Sequence, residues 1–335
     1  MKLIRKILLP IVPIYYVVTW LRNKLFDLGI KKTFTYNFPV ICVGNLSTGG
    51  TGKTPMIEYL IRLLKDNNKV ATLSRGYKRK SKGFQLGNKT TDVATLGDEP
   101  FQFYTKFKDD ILVAVDADRN NGIKHLRSIE NAAEVILLDD AFQHRKVKAG
   151  FNIMLSTYYN LYTNDIVLPT GNLREPKAGA NRADVIVITK CPFNIDENDK
   201  KEIITHIKPT KNQSIFFSSI QYAETVKSEI SSMELNDLSK FTLITGIANP
   251  KPLVDFLKAK HLDFNHLNFN DHYEFLDEDI NKFEKQSLLL TTEKDFMRLK
   301  QYESLKSKLF YLPIEVVIDD KSKFDSIICD FVKSF

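Results

Sequence analysis

The chain has 335 residues and a mass of 38.5 kDa, a length that suits two packed α/β units better than one small domain. Hydrophobic residues make up 43% of it and charged residues 27%, with only 14 glycines and 12 prolines, which argues against disorder and low complexity. Its three cysteines include no CxxC pair, which argues against a disulfide framework or a cysteine zinc site and fits a reducing cytosol.

The net charge of +7 is concentrated at the amino terminus. Residues 1–32 contain seven basic residues and one acidic residue, a local charge of +6 that leaves +1 for the rest of the chain. A nucleic-acid-binding protein usually spreads basic charge over its folded surface. Here the charge flanks the uncharged stretch 7–21 (ILLPIVPIYYVVTWL), so we expect a membrane surface rather than nucleic acid as the partner.

Residues 7–21 predict a helix that lies in the membrane–water interface. These fifteen residues fall short of a membrane span, which needs about 20. Pro10 and Pro13 interrupt the stretch, while Tyr15, Tyr16 and Trp20 are residues that favour the bilayer boundary. The main alternative is a buried core helix. A span or a signal peptide is a weaker alternative, because no cleavage site of small residues follows.

Beyond residue 32, short apolar strands alternate with amphipathic helices, the pattern of βαβ units and a mostly parallel sheet. We predict strands at 40–43, 70–73, 111–115, 135–138, 153–155 and 185–188, and a helix at 56–64. A second set begins near residue 241, continues through 288–291 and ends near 314–318. We therefore divide the chain into an amino-terminal helix (1–32), a larger lobe (33–214) and a smaller α/β lobe (215–335). Residues 215–222 are predicted to pair with 309–317 as a linker hairpin.

Residues 40–57 (VICVGNLSTGGTGKTPMI) have the strand, glycine-rich turn, Lys-Thr pair and helix of a P-loop. Lys53 is placed to contact the β- and γ-phosphates, and the Thr54 hydroxyl is a ligand for Mg²⁺. The pattern GxxxxGK[ST] has glycine where this chain has Ser47, so we expect Gly49 and Gly50 to supply the flexibility. An ordinary glycine turn is the alternative. The predicted nucleotide-binding residues are Ser47, Thr48, Gly49, Gly50, Thr51, Gly52, Lys53 and Thr54.

Residues 134–140 (EVILLDD) support the P-loop, since an apolar strand that ends in carboxylates beside a P-loop is where Mg²⁺ is held. Asp139 and Asp140 are therefore predicted metal ligands; two solvated turn aspartates are the alternative. Residues 189–192 (TKCP) resemble the guanine-reading pattern [NT]KxD but have Pro192 at the aspartate position, which favours ATP. The fold class predicted is thus α/β, a P-loop NTPase-like, mostly parallel sheet flanked by helices, with a smaller second α/β lobe and an amino-terminal membrane-surface helix.

Further polar residues follow other predicted strands, at the edge where open α/β sheets bind ligands. The basic loop 74–82 (SRGYKRKSK) suits an anionic sugar or phosphate, or is simply solvated. Asp98 is predicted at the N-cap of a helix, where it either caps or acts as a carboxylate facing the phosphates. No histidine has metal-site spacing, and His272, next to Asp271, is the best candidate for a polarised imidazole. The residues assigned to the substrate side are Arg75, Tyr77, Glu99, Arg119, Gln143, His144 and Arg174.

Seven motifs, in order along the chain, together resemble those of the tetraacyldisaccharide 4′-kinase family, the lipid A 4′-kinases of Gram-negative bacteria. They are VGNLSTGGTGKTP (43–55), LSRGYKRKSKG (73–83), GDEP (97–100), DDAFQHRK (139–146), GNLREP (171–176), DHYEF (271–275) and TTEKD (291–295). DDAFQHR together with SRGYKRK is specific to that family, whereas GKT alone is common. Ser47 resembles the family's own variant of the loop.

The resemblance implies transfer of the γ-phosphoryl group of ATP, with Mg²⁺, to the 4′-hydroxyl of an acylated glucosamine disaccharide 1-phosphate, which gives lipid IVA. It implies a peripheral or monotopic protein at the cytoplasmic face of the inner membrane, with that lipid and the membrane surface as partners and no obligate protein partner. It also implies that Asp98 and His272 form the base unit beside Lys53. Glu175 is expected to assist Thr54, Asp139 and Asp140 at the metal.

Two alternatives from other classes stay open at this point. One is a membrane-associated P-loop ATPase or GTPase switch of the partitioning or metal-insertion kind, which would turn over nucleotide without a lipid acceptor. The other is a nucleotide-binding adaptor without catalysis, which has no need of Asp98 or His272. Neither alternative requires the acidic motif GDEP or the basic loop, and both motifs therefore favour the kinase.

Overall fold

The computed structural model of the chain describes residue 5, residues 7–271 and residues 273–335. Part of the predicted amino-terminal unit, residues 1–4 and 6, lies outside the described residues. His272 lies outside them too, so its assignment to the base unit stays a prediction.

Fifteen strands occur in the described part of the chain. They are β1 (Val40–Asn45), β2 (Val70–Ser74), β3 (Gln85–Leu86), β4 (Leu112–Val115), β5 (Val135–Asp139), β6 (Phe151–Thr157), β7 (Val185–Thr189), β8 (Ser214–Tyr222), β9 (Thr225–Lys227), β10 (Ser232–Glu234), β11 (Phe241–Thr245), β12 (Phe264–Asn268), β13 (Leu289–Thr292), β14 (Leu309–Leu312) and β15 (Ile314–Ile318).

The α-helices of the described residues lie mostly between these strands. They are α1 (Val12–Asp27), α2 (Lys53–Leu64), α3 (Val93–Leu96), α4 (Asp98–Phe107), α5 (Arg119–Ser128), α6 (Glu197–Ile207), α7 (Lys251–Ala259), α8 (Asp277–Glu284), α9 (Glu293–Leu299) and α10 (Lys321–Lys333).

The first sheet has the strand order β15-β8-β7-β6-β1-β5-β2-β4-β3. Its seven inner strands are parallel, and the two edge strands, β15 and β3, pair antiparallel to them. Val43 is in register with Asp139, and Leu73 with Leu138, so β1, β2 and β5 end at the same edge. This arrangement confirms the predicted α/β fold and places the loops after these strands side by side.

Both faces of the first sheet are buried, which explains why its inner strands are continuous apolar runs. Side chains alternate between the faces, so Val40 and Cys42 belong to one core while Ile41 and Val43 belong to the other. Helices α5 and α6 contribute to the first core. Helices α2, α4 and α10 contribute to the second.

The second sheet has the order β10-β9-β14-β13-β11-β12. Strands β11 to β14 pair in parallel, and β9 and β10 extend the sheet in the antiparallel sense. Leu253 and Leu257 of α7 pack against one face, and helices α8 and α9 pack against the other. The carboxyl end of β13 leads directly into α9, which carries most of the TTEKD motif.

Two chain segments join the sheets, and Pro313 lies in one of them. β8 pairs antiparallel with β15, with Ile314 opposite Tyr222 and Ile318 opposite Ser218. β14, which we expected in the same pairing, lies instead in the second sheet, because Pro313 separates it from β15 and has no N–H for a ladder. Strand β15 and helix α10 thus lie on the first sheet, although the sequence placed 314–335 in the second lobe. The domain limits themselves stay a prediction.

A buried ionic cluster joins α9 of the second sheet to α2 and α4 of the first. Lys106 Nζ lies 2.6 Å from Glu58 Oε2 and 2.7 Å from Glu293 Oε1, and the side chains of both glutamates are almost fully buried. Burial and the nearby Glu58 carboxylate raise the pKa of Glu293 to about 7. Polar contacts as well as apolar packing therefore join the two sheets.

Helix α1 lies on the outside of the first sheet with most of its apolar side chains exposed. Phe26 is its buried residue, and Arg22, Lys31 and Arg145 each place a cation over that ring. The exposed apolar side chains of α1 are Ile14, Tyr16, Val17, Val18, Trp20 and Leu21. No helix in the described residues combines the length and the apolarity of a membrane span.

Candidate active site

The P-loop follows β1 and closes onto the first turn of α2. Gly49 and Gly52 have φ values of 104° and 88°, the left-handed region that glycine adopts without strain. Gly52 is the N-cap of α2, so Lys53 and Thr54 are its first two residues. Ser47 needs no such freedom, because it forms an antiparallel bridge with Leu173. The positive φ values of the loop thus fall at Gly49 and Gly52, and the expected contribution of Gly50 to its flexibility stays a prediction.

Three side chains from outside the loop hold it in place, two through backbone carbonyls and one through the Thr51 hydroxyl, and none of them was among the predicted site residues. The buried Asn45 donates from Nδ2 to Thr51 Oγ1 at 2.8 Å. Thr189 Oγ1 donates to the Thr51 carbonyl at 2.8 Å, and Lys190 Nζ donates to the Gly50 carbonyl at 2.6 Å. Thr189 and Lys190 begin the TKCP segment, whose resemblance to [NT]KxD was the available signal.

Asp139 is the last residue of β5 and Asp140 directly follows it, and the two carboxylates have opposite environments. Asp139 is buried, and burial together with the neighbouring Asp140 raises its pKa to about 6. Asp140 Oδ1 lies 3.7 Å from Lys53 Nζ and 2.9 Å from Arg174 Nη1. Burial alone would raise the pKa of Asp140, but Lys53 and Arg174 outweigh it and hold that pKa below its usual value. Lys53 therefore already faces a fixed negative charge at the strand edge.

The Asp139 carboxylate provides a test of whether the site fits a cation. Ser74 Oγ donates to Asp139 Oδ2 at 3.1 Å, whereas Asp139 Oδ1 is buried without a hydrogen-bond partner among the described residues. Within the described ranges, no group of three or more His, Cys, Asp or Glu residues is arranged to hold a metal by itself. Magnesium needs no such group, since it binds one or two carboxylates together with water and phosphate oxygens. A hydroxyl at Thr54 and a carboxylate at Asp139 fit that requirement.

Glu175, predicted to assist the metal, has three protein partners instead. Its carboxylate accepts hydrogen bonds from Asn23 Nδ2 at 2.6 Å, Arg182 Nη2 at 2.8 Å and Gln143 Nε2 at 3.0 Å. Gln143 also donates to the Asn45 carbonyl at 2.8 Å, which ties this cluster to the P-loop strand. The structure thus gives Glu175 and Gln143 scaffold contacts, and their predicted roles at metal and substrate stay predictions.

Helix α1 forms hydrogen bonds with residues of the DDAFQHR and GNLREP motifs. Arg22 Nη2 donates to the Gln143 carbonyl at 2.8 Å, and Tyr15 OH donates to the Arg174 carbonyl at 3.0 Å. Arg145 contacts the Asn23 carbonyl at 2.8 Å and Asp27 at 2.7 Å. The amino-terminal helix is therefore joined to the DDAFQHR and GNLREP motifs at the candidate site, a connection that the sequence did not indicate.

Asp98 and Glu99 are the first residues of α4, and Gly97 is its N-cap. The expectation that Asp98 occupies the N-cap is therefore wrong by one residue, since Gly97 has a φ of 88° that an aspartate rarely adopts. Asp98 forms an ion pair with Arg298 of α9, and Glu99 Oε1 lies 3.9 Å from Lys294 Nζ. The Glu99 charge is among those that raise the pKa of Asp139, so the start of α4 faces the end of β5.

The basic loop after β2 packs over the start of α4. A β-carbon at Gly97 would lie only 2.8 Å from the Tyr77 carbonyl oxygen, which accounts for the glycine of GDEP. Arg75 and Tyr77 are exposed, with 62% of Tyr77 accessible. Arg79 is half-buried and donates to the Gly83 carbonyl at 2.8 Å. The contacts of Arg75 and Tyr77 with substrate stay predictions.

Arg119 and His144 are less accessible than their assignment to the substrate suggests. Arg119 is 2% exposed and donates to the Asp116 carbonyl at 3.0 Å. Burial and the nearby Arg119 lower the pKa of His144 to about 4, so its imidazole is neutral at physiological pH. Arg119 Nη2 also donates to the Asp139 carbonyl at 3.5 Å. The contacts of Arg119 and His144 with substrate stay predictions.

Comparison with known proteins identifies the family. A model of the Tetraacyldisaccharide-1-P 4′-kinase family matches residues 4–333. A protein of Flavobacterium johnsoniae named tetraacyldisaccharide 4′-kinase is 50% identical over 99% of this chain and 98% of its own length. The corresponding protein of Porphyromonas gingivalis is 37% identical over 93% and 92%. The solved structure of LpxK from Aquifex aeolicus in complex with ATP matches 98% of this chain and 99% of its own at a TM-score of 0.79 and 31% identity. The family resemblance of the seven motifs is thereby confirmed, and the chain belongs to the tetraacyldisaccharide 4′-kinase family.

Proposed function

We propose that this chain transfers the γ-phosphoryl group of ATP to the 4′-hydroxyl of a tetraacylated glucosamine disaccharide 1-phosphate. The products are ADP and the bis-phosphorylated lipid IVA, and the hydroxyl proton passes to the protein. Membership of the family is the observation on which this proposal rests most heavily. It is supported by a P-loop whose lysine lies 3.7 Å from a strand-end carboxylate.

ATP would be held mainly by charge and by backbone N–H groups. Lys53 and the first turn of α2 face the phosphates, where the helix N-terminus favours negative charge. On phosphate binding, Lys53 would exchange its 3.7 Å contact with Asp140 for the more highly charged phosphate. Pro192 stands where a guanine-reading site has its aspartate, which favours ATP over GTP.

Mg²⁺ would be held by Thr54 and Asp139, with Asp140 beside them. Bound there, the ion would supply charge neutralisation at the β- and γ-phosphate oxygens. The unsatisfied oxygen of Asp139 supports this assignment, because a buried carboxylate oxygen without a partner is costly unless a cation or a donor reaches it. Glu175 is the weakest of the predicted ligands, since Asn23, Gln143 and Arg182 already bind its carboxylate.

Asp98 is proposed as the base for the acceptor hydroxyl, supported by His272. A sugar hydroxyl is a weak nucleophile, so a positioned carboxylate that takes its proton accelerates transfer. The correction at the helix start supports this assignment, since Gly97 rather than Asp98 occupies the N-cap. The simplest alternative role for Asp98, helix capping through its side chain, is thereby removed.

The lipid substrate would approach along helix α1, with the protein at the cytoplasmic face of the inner membrane. The exposed apolar side of α1 suits a membrane surface, and its polar side contacts the motifs around Asp140. Arg75, Tyr77 and Lys78 of the basic loop after β2 are exposed and suited to an anionic head group.

The membrane proposal is tested with vesicles containing anionic lipid. Combined substitution of Ile14, Val17, Val18 and Leu21 by serine should reduce co-sedimentation strongly, because about 25 cal/mol is lost for each Å² of apolar surface no longer buried. A variant with Ile204→Ser and Ile230→Ser, two exposed apolar residues elsewhere, is the control. Equal sedimentation of both variants would contradict a membrane role for α1.

The enzymatic proposal is tested by incubation with Mg²⁺, γ-labelled ATP and the disaccharide 1-phosphate lipid. The expected result is a labelled bis-phosphorylated lipid and one ADP for each phosphate transferred. ADP formation that is independent of the lipid, with no labelled lipid, would instead support the nucleotide-switch alternative, although the family assignment does not favour it.

A further inference from the structure

Helix α9, which carries most of the TTEKD motif, has no role in the proposed chemistry, yet it contacts the proposed base. Arg298 Nη2 of α9 donates to Asp98 Oδ2 at the start of α4. The pair is largely withdrawn from water, with side-chain exposures of 11% for Arg298 and 15% for Asp98. An ion pair in such surroundings is screened far less than one on the surface.

Arg298 is itself fixed by the fully buried Asp295. The Asp295 carboxylate accepts hydrogen bonds from the Gly246 N–H at 2.8 Å and from Thr292 Oγ1 at 2.7 Å, and it lies 3.4 Å from Arg298 Nη1. A β-carbon at Gly246 would come within 2.9 Å of Asp295 Oδ1, so the glycine makes room for this contact. Thr292 thus holds Asp295, and Asp295 contacts Nη1 of the guanidinium whose Nη2 contacts Asp98.

The charges around this contact are complementary across the two sheets. The start of α4 presents Asp98 and Glu99, and α9 presents Lys294 and Arg298. Lys294 Nζ also lies 3.5 Å from Asp271 Oδ1, in the DHYEF motif. Residues of the GDEP, DHYEF and TTEKD motifs, which are far apart in the sequence, therefore lie close together around the proposed base.

We propose that Arg298 is a positioning residue for the transfer reaction: it holds the Asp98 carboxylate ionised and in a fixed orientation toward the acceptor hydroxyl. The inference rests on the proposed function of Asp98. A neighbouring cation favours the ionised carboxylate, which is the form that accepts a proton. Misplacement of a reacting group by about 1 Å is enough to lower a rate roughly 10²-fold. The second sheet would thus contribute to catalysis without contacting the nucleotide.

The test is a double-variant cycle with Arg298→Met and Asp98→Asn, measured as kcat and as KM for ATP and for the lipid. Arg298→Met should lower kcat by roughly 10²-fold and leave the KM for ATP within about threefold. In the Asp98→Asn background the same change should lower kcat by less than about threefold, because residues that act as a unit are non-additive. Arg298→Lys, which keeps the charge, should recover part of the loss.

Lys300→Met is the matched control. Lys300 also joins α9 to α4, through Thr105 Oγ1 at 3.1 Å and the Phe101 ring at 4.6 Å, but it does not contact Asp98. Its kcat should stay near that of the unsubstituted protein. A Lys300→Met loss equal to that of Arg298→Met, or an undiminished Arg298→Met loss in the Asp98→Asn background, would overturn the positioning role. Absence of lipid phosphorylation by the unsubstituted protein would instead reject the proposed function.

Discussion

Lys53 and Asp98, the residues proposed to act on the phosphates and on the acceptor hydroxyl, reach their positions by different means. Lys53 is the first residue of α2, which packs on the first sheet. Asn45, Thr189 and Lys190, in or next to strands of that sheet, hold the P-loop. Asp98 is the first residue of α4, which also packs on the first sheet, but its carboxylate pairs with Arg298 of α9, which packs on the second sheet. We therefore expect nucleotide binding to depend on the first sheet alone, and the action of the proposed base to depend on the contact between the two sheets.

The largest loss of activity is expected when the P-loop lysine is removed. Lys53→Ala should lower lipid phosphorylation by more than about 10³-fold, because the loop loses its cation at the β/γ-phosphates. Lys65→Ala, at the far end of the same helix and paired with Asp110, is the control and should retain activity. Transfer by Lys53→Ala within tenfold of the unsubstituted protein would refute the P-loop assignment.

Asp98→Asn removes the proposed base and keeps its shape. The initial rate at saturating ATP and lipid should fall by roughly 10²–10⁴-fold, the usual range for a general acid–base group. If His272 supports Asp98, the variant with both Asp98→Asn and His272→Ala should lose much less than the product of the two single losses. Asp109→Asn, an exposed residue beyond the end of α4, is the control. Near-normal turnover of Asp98→Asn would remove Asp98 from the mechanism.

Thr189→Val removes a hydrogen bond that holds the P-loop and leaves the charges of the loop unchanged. The Thr51 carbonyl would lose its buried hydroxyl donor, at a cost of about 1–3 kcal/mol, part of which should appear as a roughly tenfold higher Kd for ATP. Thr205→Val, an exposed threonine on α6, should leave the Kd unchanged. Calorimetry provides both values, and equal affinities would show that the contact does not order the loop.

The smallest effect concerns the charges between the two sheets. Because the pKa of Glu293 rises from 4.5 to about 7 on folding, the folded protein binds more protons than the unfolded chain in that window. Its free energy of unfolding should therefore fall as the pH rises from about 4.5 to about 7. Glu293→Gln should make that fall shallower in denaturant titrations, and the exposed Glu303→Gln should not. Equal slopes for Glu293→Gln and the unsubstituted protein would contradict the pKa assignment.

The sequence predicted the local features of the candidate site but not the contacts between residues that are distant along the chain. The P-loop was predictable because its strand, turn and helix follow one another along the chain. The two aspartates were predictable because they lie at the end of one apolar strand. The roles of Thr189, Lys190 and Asn45 follow from which strands are neighbours, and that order is not written in any one segment. The same holds for Arg298, some 200 residues from its partner.

The error at the start of α4 has a local cause. Aspartate is a preferred N-cap residue, so GDEP favoured Asp98 as the cap. The close approach of Gly97 to the Tyr77 carbonyl decided otherwise, because only glycine fits there at a φ of 88°. The exposed apolar side of α1 was foreseen from its composition. The hydrogen bonds of α1 with the backbone of Arg174 and Gln143 were not foreseen, because they depend on tertiary structure.

Calorimetric titration of ATP with Mg²⁺ into the unsubstituted protein, Thr189→Val and Asp98→Asn tests this division most directly. If the first sheet alone holds the nucleotide, Thr189→Val should weaken ATP binding about tenfold while Asp98→Asn stays within about twofold of the unsubstituted protein. If Asp98→Asn weakened ATP binding as much as Thr189→Val does, nucleotide binding and the proposed base would not be separable, and the central claim would be contradicted.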